Sequence, residues 1–131
     1  QDTTLRVYLE KLAVGSSLSF TNIQFVPDKA TILPNALKDF EDLLNFMKTN
    51  KNISVEIQGH VNGVGGKKRK QMKLSTDRAK TIYEMLIAYG IEKERLTYKG
   101  YGGDKMIYPE PLNEQQSQVN RRVEVRVTSI R

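Results

Sequence analysis

Alternating apolar and polar residues predict three half-buried strands in this chain. The first covers residues 53–61, where Gly59 takes one of the apolar positions, and the last covers residues 123–128, where three valines alternate with polar residues. Between them, residues 96–100 read as a strand that runs into a glycine-rich turn. Each pattern has the period of two that places one face of a strand on a core and the other in water.

Two weaker patterns precede these strands. Residues 5–9 alternate as an edge strand would, and the small residues 15–17 separate them from the rest of the chain. Residues 18–25 also alternate, with a slip after Phe20 that indicates a β-bulge. Pro27 then marks a turn.

Two stretches have the spacing of amphipathic helices. Pro34 suits the first turn of one helix, which is predicted to end in a basic segment at residues 48–51. Its predicted buried stripe is Leu37, Phe40, Leu44 and Met47. The second helix is predicted to begin at Ser75, a good N-cap residue, and to stop at Gly90. Its predicted buried stripe is Ala79, Ile82, Tyr83 and Leu86.

The strands and helices alternate along the chain, and a glycine-rich, basic loop at residues 62–73 precedes the second helix. This order predicts an α+β fold, an α/β sandwich in which two long helices pack on one face of a mixed sheet. The chain reads as one continuous domain over residues 1–131, in which residues 1–16 form an N-terminal extension that holds the expected edge strand.

The composition narrows the functional classes. The chain of 131 residues has no Cys, which excludes thiolate chemistry, and its one His, His60, is expected to be structural or exposed. No apolar run reaches the roughly 18 residues of a transmembrane helix. The acidic residues are scattered without a catalytic signature, so nothing in the sequence argues for an enzyme, a metal or a cofactor.

Basic residues outnumber acidic ones, 21 to 15, and the net charge of +6 indicates an anionic partner without identifying it. Part of the excess lies at residues 67–70 and at Lys73, where no aromatic residue is interleaved for base stacking. We expect this segment to attract polyanions weakly while it stays solvated, and we do not expect nucleic-acid binding.

Two arginines are candidates for a more specific anion site. If a helix begins at Ser75, its free first-turn N–H groups and the guanidinium of Arg78 form a receptor for a carboxylate or a phosphate. Arg121 would lie beside Arg78 if the last strand starts near this helix, and the two charges would then need a bound anion to relieve their repulsion. The alternative is that both arginines are solvated or paired with surface acids.

Eight short segments together resemble the C-terminal domain of the OmpA family, the peptidoglycan-binding module that OmpA, Pal and MotB proteins share. They follow one another in the order of the family and with close to its spacing, over nearly the whole chain. The segments read FTNIQF at 20–25, ATILP at 30–34, IQGH at 57–60, LSTDRA at 74–79, GI at 90–91, RL at 95–96, KGYG at 99–102 and NRRVE at 120–124.

The resemblance implies a β-α-β-α-β sandwich and a ligand, the peptide stem of peptidoglycan, chiefly its diaminopimelate residue with its carboxylate and ammonium groups. It implies that Arg78 holds a carboxylate at a helix N-terminus and that Arg121 and Asp28 line the same pocket. The implied binding residues are Asp28, Val61, Asn62, Gln71, Arg78 and Arg121. It also implies a periplasmic location at the outer membrane or cell wall, with membrane attachment only through parts outside this chain, as in the C-terminal part of a longer protein.

The chain departs from the family in one segment of three residues. The family commonly has His-Thr-Asp there, whereas this chain has His60, Val61 and Asn62. Asn62 keeps an acceptor oxygen but loses the charge, which could weaken ammonium capture about tenfold, because hydrogen bonds to charged groups contribute roughly 1.5–3 kcal/mol against about 1 for neutral ones. Gln71 replaces a family Asn, and the loop before it is longer and basic. The alternative function is therefore a degenerate domain that binds other proteins in an envelope complex.

Overall fold

The computed structural model describes residues 13–18 and 22–131. Within them the chain forms four strands, three α-helices and two short 3₁₀ helices at Pro34–Ala36 and Lys93–Arg95. In chain order the main elements are β1 (Ile23–Gln24), α1 (Leu37–Thr49), β2 (Ile53–Gly59), α2 (Lys68–Ala88), β3 (Leu96–Gly100), α3 (Glu114–Asn120) and β4 (Arg122–Ile130).

The four strands form one mixed sheet in the order β1-β4-β2-β3. Strand β4 is antiparallel to both of its neighbours, whereas β2 and β3 are parallel. Helix α2 supplies the crossover that a parallel pair requires. The predicted α+β architecture with a mixed sheet is confirmed.

Helices α1 and α2 cover one face of this sheet. Alternate residues of β2 and β4 are fully buried beneath them and form a single apolar core with both helices. The central members of that core are Phe40, Leu43, Met47, Val55, Ile57, Ile82, Leu86, Val123 and Val125. The opposite face of the sheet is polar, as the alternation in β2 and β4 predicts, and Glu56 lies in register with Arg126 there.

The buried face of α1 differs from the predicted one. Leu37 is 48% exposed, whereas Leu43 and Phe46 are buried together with Phe40 and Met47. The predicted stripe was therefore wrong at its first position, because the preceding 3₁₀ turn at Pro34–Ala36 brings Ala36, rather than Leu37, onto the core. The helix ends at Thr49 with Lys48 in its last turn, close to the predicted end.

The start of α2 was predicted wrongly. The helix begins at Lys68, not at Ser75, so most of the basic segment that was expected to be a loop is helical. Lys, Arg, Gln and Met are good helix formers, and they extend the helix two turns upstream of the expected cap. Ser75 is fully buried inside the helix, where its hydroxyl donates to the Met72 carbonyl at 2.9 Å and accepts from the Gly102 N–H at 2.9 Å.

The end of α2 is the predicted one. Gly90 follows the helix with a φ of 101°, a conformation that glycine adopts without the strain of a side chain. The N–H of Gly90 donates to the Ile87 carbonyl and that of Ile91 to the Leu86 carbonyl, both at 3.0 Å. This is the Schellman arrangement, in which the buried Ile91 also covers the last turn.

The predictions for the start of the chain are tested only in part. The expected edge strand at residues 5–9 and the slip after Phe20 lie outside the described residues. Of the stretch 18–25, the structure shows β1 and a single bridge from Phe25 to Ile32, and Ser17 just before it forms a single bridge to Arg126. No helix in the described part of the chain is long and apolar enough to cross a membrane.

Helix α2 lies unusually close to the ends of β2 and β3. Gly59 and Gly100 are paired across these strands, and both face the turn of α2 that contains Ser75. A methyl group on Gly59 would overlap the backbone carbonyl of Ser75, and one on Gly100 would overlap the Ser75 and Thr76 hydroxyls. Backbone cannot move aside as a flexible side chain can, so glycine at these positions sets the distance between helix and sheet.

We therefore expect Gly59→Ala to lower the free energy of unfolding by about 3 kcal/mol, at the upper end of the cost of overpacking a core. Gly90→Ala is the matched control, since Gly90 has open space around it and loses only about 1–2 kcal/mol to its backbone conformation. Urea denaturation followed by circular dichroism measures both. Equal midpoints for the two variants would contradict the close approach of α2 to β2.

Candidate functional site

A cleft of about 450 Å³ opens where the loop after β2 meets the start of α2 and the turn after β1. All six residues that were proposed to bind the ligand line it. They are Asp28, Val61, Asn62, Gln71, Arg78 and Arg121. The remaining lining residues are Val64, Gly65, Gly66, Lys67, Lys70 and Leu74. A cleft of this volume accommodates a small peptide.

Arg78 forms the floor of the cleft and is fully buried. Its guanidinium donates three hydrogen bonds to backbone carbonyls: Nε to Lys29 at 3.0 Å, Nη1 to His60 at 2.9 Å and Nη2 to Val26 at 3.1 Å. The predicted position at a helix N-terminus was wrong, because α2 begins ten residues earlier, at Lys68. The dipole of α2 therefore does not act with Arg78 on a ligand.

No carboxylate of a described residue forms a hydrogen bond or ion pair with Arg78. Its three acceptors are neutral carbonyls, and its guanidinium lies 5.5 Å from the centroid of the Phe25 ring. Burial lowers the pKa of Arg78, the nearby charge of Arg121 also lowers it and Asp28 opposes the shift, which together give a pKa of about 10. The side chain stays protonated at neutral pH, so the floor of the cleft is positive.

Arg121 lies at the junction of α3 and β4, on the wall of the cleft. Its Nη1 forms an ion pair with Glu114 and donates to the Gln118 side-chain oxygen at 3.0 Å. The sequence suggested that two neighbouring arginines would need a bound anion to relieve their repulsion. In the structure, carbonyls accept from Arg78 and Glu114 pairs with Arg121, while the charge of Arg121 still lowers the pKa of Arg78.

The orientation of the Asn62 amide follows from its neighbour Asn120. The Asn120 side chain accepts from the N–H of Tyr108 at 2.9 Å and donates to its carbonyl at 2.8 Å, which fixes its oxygen and nitrogen. The same Asn120 nitrogen donates a hydrogen bond to Asn62 at 2.9 Å, and the acceptor is therefore the Asn62 side-chain oxygen. The Asn62 nitrogen, which bonds to no described residue, remains as a donor for a ligand.

Gln71 shapes the glycine loop that forms one wall. Its Nε2 donates to the carbonyls of Gly63 at 3.2 Å and Gly65 at 2.8 Å. Gly65 and Gly66 have φ values of 69° and 84°, which a side chain would disfavour. Both N–H groups of the Gln71 amide are thus engaged, and only its oxygen remains for a ligand.

The other two proposed residues, Val61 and Asp28, differ in burial and in chemistry. Val61 is buried, is held by a 3.1 Å hydrogen bond from its N–H to the Gly102 carbonyl, and gives the cleft an apolar wall. Asp28 is exposed in the turn after β1, with a φ of 60°. It is the acidic residue of the lining, close enough to influence the pKa of Arg78.

His60 lies beneath the cleft rather than in it. The ring is 1% exposed and stacks on Tyr101 with the ring centroids 5.6 Å apart. Burial, with the charges of Arg122 and Lys105, lowers its pKa to about 3, so the imidazole is neutral at pH 7. This is the structural role that the sequence allowed. The described residues also contain no cluster of three His, Cys, Asp or Glu side chains that could hold a metal ion.

Sequence reasoning missed Lys67 and Lys70 as lining residues and treated them as part of a diffuse loop. Both are exposed at the edge of the cleft. A helical period was available as a signal, because positions 67, 70, 71, 74 and 78 recur at intervals of three and four residues and share one face.

We expect Arg78→Ala to lower the free energy of unfolding by at least about 3 kcal/mol, because three partly or fully buried carbonyls lose their donor. Arg121→Ala should cost less than about 1 kcal/mol, since its ion-pair partner Glu114 is 73% exposed. Urea denaturation measures the two variants side by side. Similar losses in both would contradict the structural role of Arg78.

The comparisons with known proteins match this architecture. The OmpA family model matches residues 24–121. Outer membrane porin F from Pseudomonas fluorescens is 33% identical over 106 residues, which cover 81% of this chain and 32% of the porin. The chain therefore spans about a third of the length of this relative.

Two solved structures share the fold. The peptidoglycan-associated lipoprotein from Burkholderia pseudomallei has a TM-score of 0.75 at 17% identity, over 85% of this chain and 92% of that one. The periplasmic domain of Helicobacter pylori MotB has a TM-score of 0.70 at 18% identity, over 91% of this chain and 79% of that one. Because the family model spans residues 24–121 of 131, the chain belongs to the OmpA family.

Proposed function

We propose that this domain binds the peptide stems of peptidoglycan and so attaches an envelope protein to the cell wall without a covalent bond. Membership of the OmpA family supports this function, as does the similarity to an outer membrane porin. The observation that carries it is the cleft, in which the six residues suggested by the family resemblance meet around a positive floor.

The polar groups of the cleft match the chemistry of diaminopimelate. A carboxylate placed over the floor receives the field of Arg78 and direct hydrogen bonds from Arg121 and from the Asn62 nitrogen. Because Arg78 is fully buried and already bonded to three carbonyls, its contribution is its charge rather than a direct hydrogen bond.

The other end of diaminopimelate meets different groups. An ammonium group finds the carboxylate of Asp28 and the free oxygen of Gln71. The side chains of Val61 and Leu74 offer apolar surface for the methylene chain between the two ends. Asn62 adds little to ammonium capture, since its oxygen already accepts from Asn120.

The proposal includes a location and a mode of action. We place the domain in the periplasm, at the outer membrane or cell wall, as one unit of a longer envelope protein. It acts as a binding module without catalysis or a cofactor, and nucleic acid is not among its partners. A domain that has lost the ligand and binds other envelope proteins is the alternative, which the experiments below separate.

Arg121→Gln should weaken binding to purified diaminopimelate-type sacculi about tenfold, because it removes a charged donor to the carboxylate while leaving the fold intact. Co-sedimentation over a range of sacculus concentrations measures the effect. Arg126→Gln, the same change on an exposed arginine of the opposite sheet face, is the control and should bind like the original chain.

If the original chain fails to sediment with sacculi, the proposed function is wrong and the protein-binding alternative is favoured. If it sediments and Arg121→Gln does so equally well at limiting sacculus, the cleft is not the binding site. Arg78→Ala is unsuitable for this test, since it should also destabilise the protein.

Asn62→Asp should weaken the binding of a soluble diaminopimelate-containing stem peptide by about tenfold, because one oxygen can still accept from Asn120 while the other replaces the donor to the ligand carboxylate with a negative charge. Titration calorimetry measures the affinity. The loss should vanish for a peptide in which the carboxyl group on the diaminopimelate side chain is converted to the amide. An equal loss for both peptides would show that position 62 does not face this carboxylate.

A further inference from the structure

The charges around the cleft are unbalanced. Four cationic side chains line it, and among the described residues Asp28 is the one acid of the lining. The cations are Lys67, Lys70, Arg78 and Arg121. Because Glu114 already pairs with Arg121, one carboxylate and one ammonium group would leave the two lysines without a counter-charge.

The two lysines form a separate group from the two arginines. Lys70 and Arg78 lie on the same helix eight residues apart, which places their backbones about 12 Å from each other along the axis. The side chain of Arg78 is fully buried at the floor, whereas both lysines are exposed at the rim. The cleft therefore presents positive charge at two places, the floor and the rim.

No described feature of the fold neutralises these lysines. Within residues 13–18 and 22–131, neither Lys67 nor Lys70 forms an ion pair, and the nearest one in sequence joins Lys73 to Asp77 at 2.9 Å. The first turn of α2 contains no acidic residue, so the basic side chains lie at the positive end of the helix dipole and destabilise it. The two lysines therefore do not stabilise α2.

The amide groups of the cleft also favour a ligand rich in acceptors. The Asn62 nitrogen is a free donor, because Asn120 occupies the oxygen of that amide. The two lysines and Arg121 present further donors. Among the described lining residues, Asp28 and the Gln71 oxygen are the side-chain acceptors that remain for a ligand donor.

We propose that the cleft selects stem peptides with a second free carboxylate, which Lys67 and Lys70 hold at the rim while the first lies over Arg78 and Arg121. This rests on the proposed function and specifies its ligand. The α-carboxylate of the glutamyl residue that precedes diaminopimelate is the second group, since it lies one residue away along the stem. The domain then discriminates against peptidoglycan in which this carboxyl is amidated.

The test uses two synthetic peptides, alanyl-γ-glutamyl-diaminopimelate with the glutamyl α-carboxyl either free or converted to the amide. Calorimetry with the full chain should show about tenfold tighter binding of the free form, the ratio expected for one charge-assisted contact. Lys67→Gln/Lys70→Gln should bind both peptides with the affinity that the original chain has for the amide. Lys48→Gln/Lys80→Gln, with the same charge change at exposed positions outside the cleft, should keep the preference.

Three results would overturn the inference while leaving the proposed function standing. In the first, the original chain binds the two peptides with equal affinity. In the second, Lys67→Gln/Lys70→Gln still prefers the free carboxyl form as strongly as the original chain does. In the third, the control variant loses that preference to the same extent as Lys67→Gln/Lys70→Gln. Failure of the original chain to bind either peptide would instead refute the proposed function, and the inference with it. Thermal unfolding of both double variants confirms that they remain folded.

Discussion

The guanidinium of Arg78 is the contact on which the rest of this structure depends. It joins helix α2 to the turn after β1, through the carbonyls of Val26 and Lys29, and to the end of β2, through that of His60. Thr81, one turn further along α2, donates to the Ala30 carbonyl of the same turn at 3.2 Å. A planar group with donors in fixed directions can hold three backbone segments at once, which lysine could not do.

The same contact gives the cleft its electrostatic character. A buried cation whose acceptors are neutral carbonyls keeps its charge, and the surrounding protein screens it less than water would. Arg121 lies near it, and the ion pair with Glu114 partly offsets the charge of Arg121. These contacts hold both cationic side chains in place, and side chains that are already ordered lower the cost of any binding event.

Much of the fold and of the cleft lining could be predicted from the sequence, and the wrong predictions have physical causes. The end of α2 was predictable because Gly90 satisfies a local requirement of the backbone. The start of α2 was not predictable, because Ser75 is a residue type that favours the N-cap but here is buried against Gly100 and Gly102. Leu37 was misplaced for a similar reason, because the length of the 3₁₀ turn before α1 sets which residues face the core.

The sequence by itself determined the alternation of the strands, the end of α2, the α+β class and the six residues that meet in the cleft, since these depend on local patterns and family resemblance. Only the tertiary structure decided what each residue does there. Hydrogen bonds between distant segments made Arg78 a structural cation, engaged the Asn62 oxygen rather than its nitrogen and used the Gln71 amide to hold the glycine loop. Such bonds depend on which segments the fold brings within about 3 Å, a distance that no local pattern encodes.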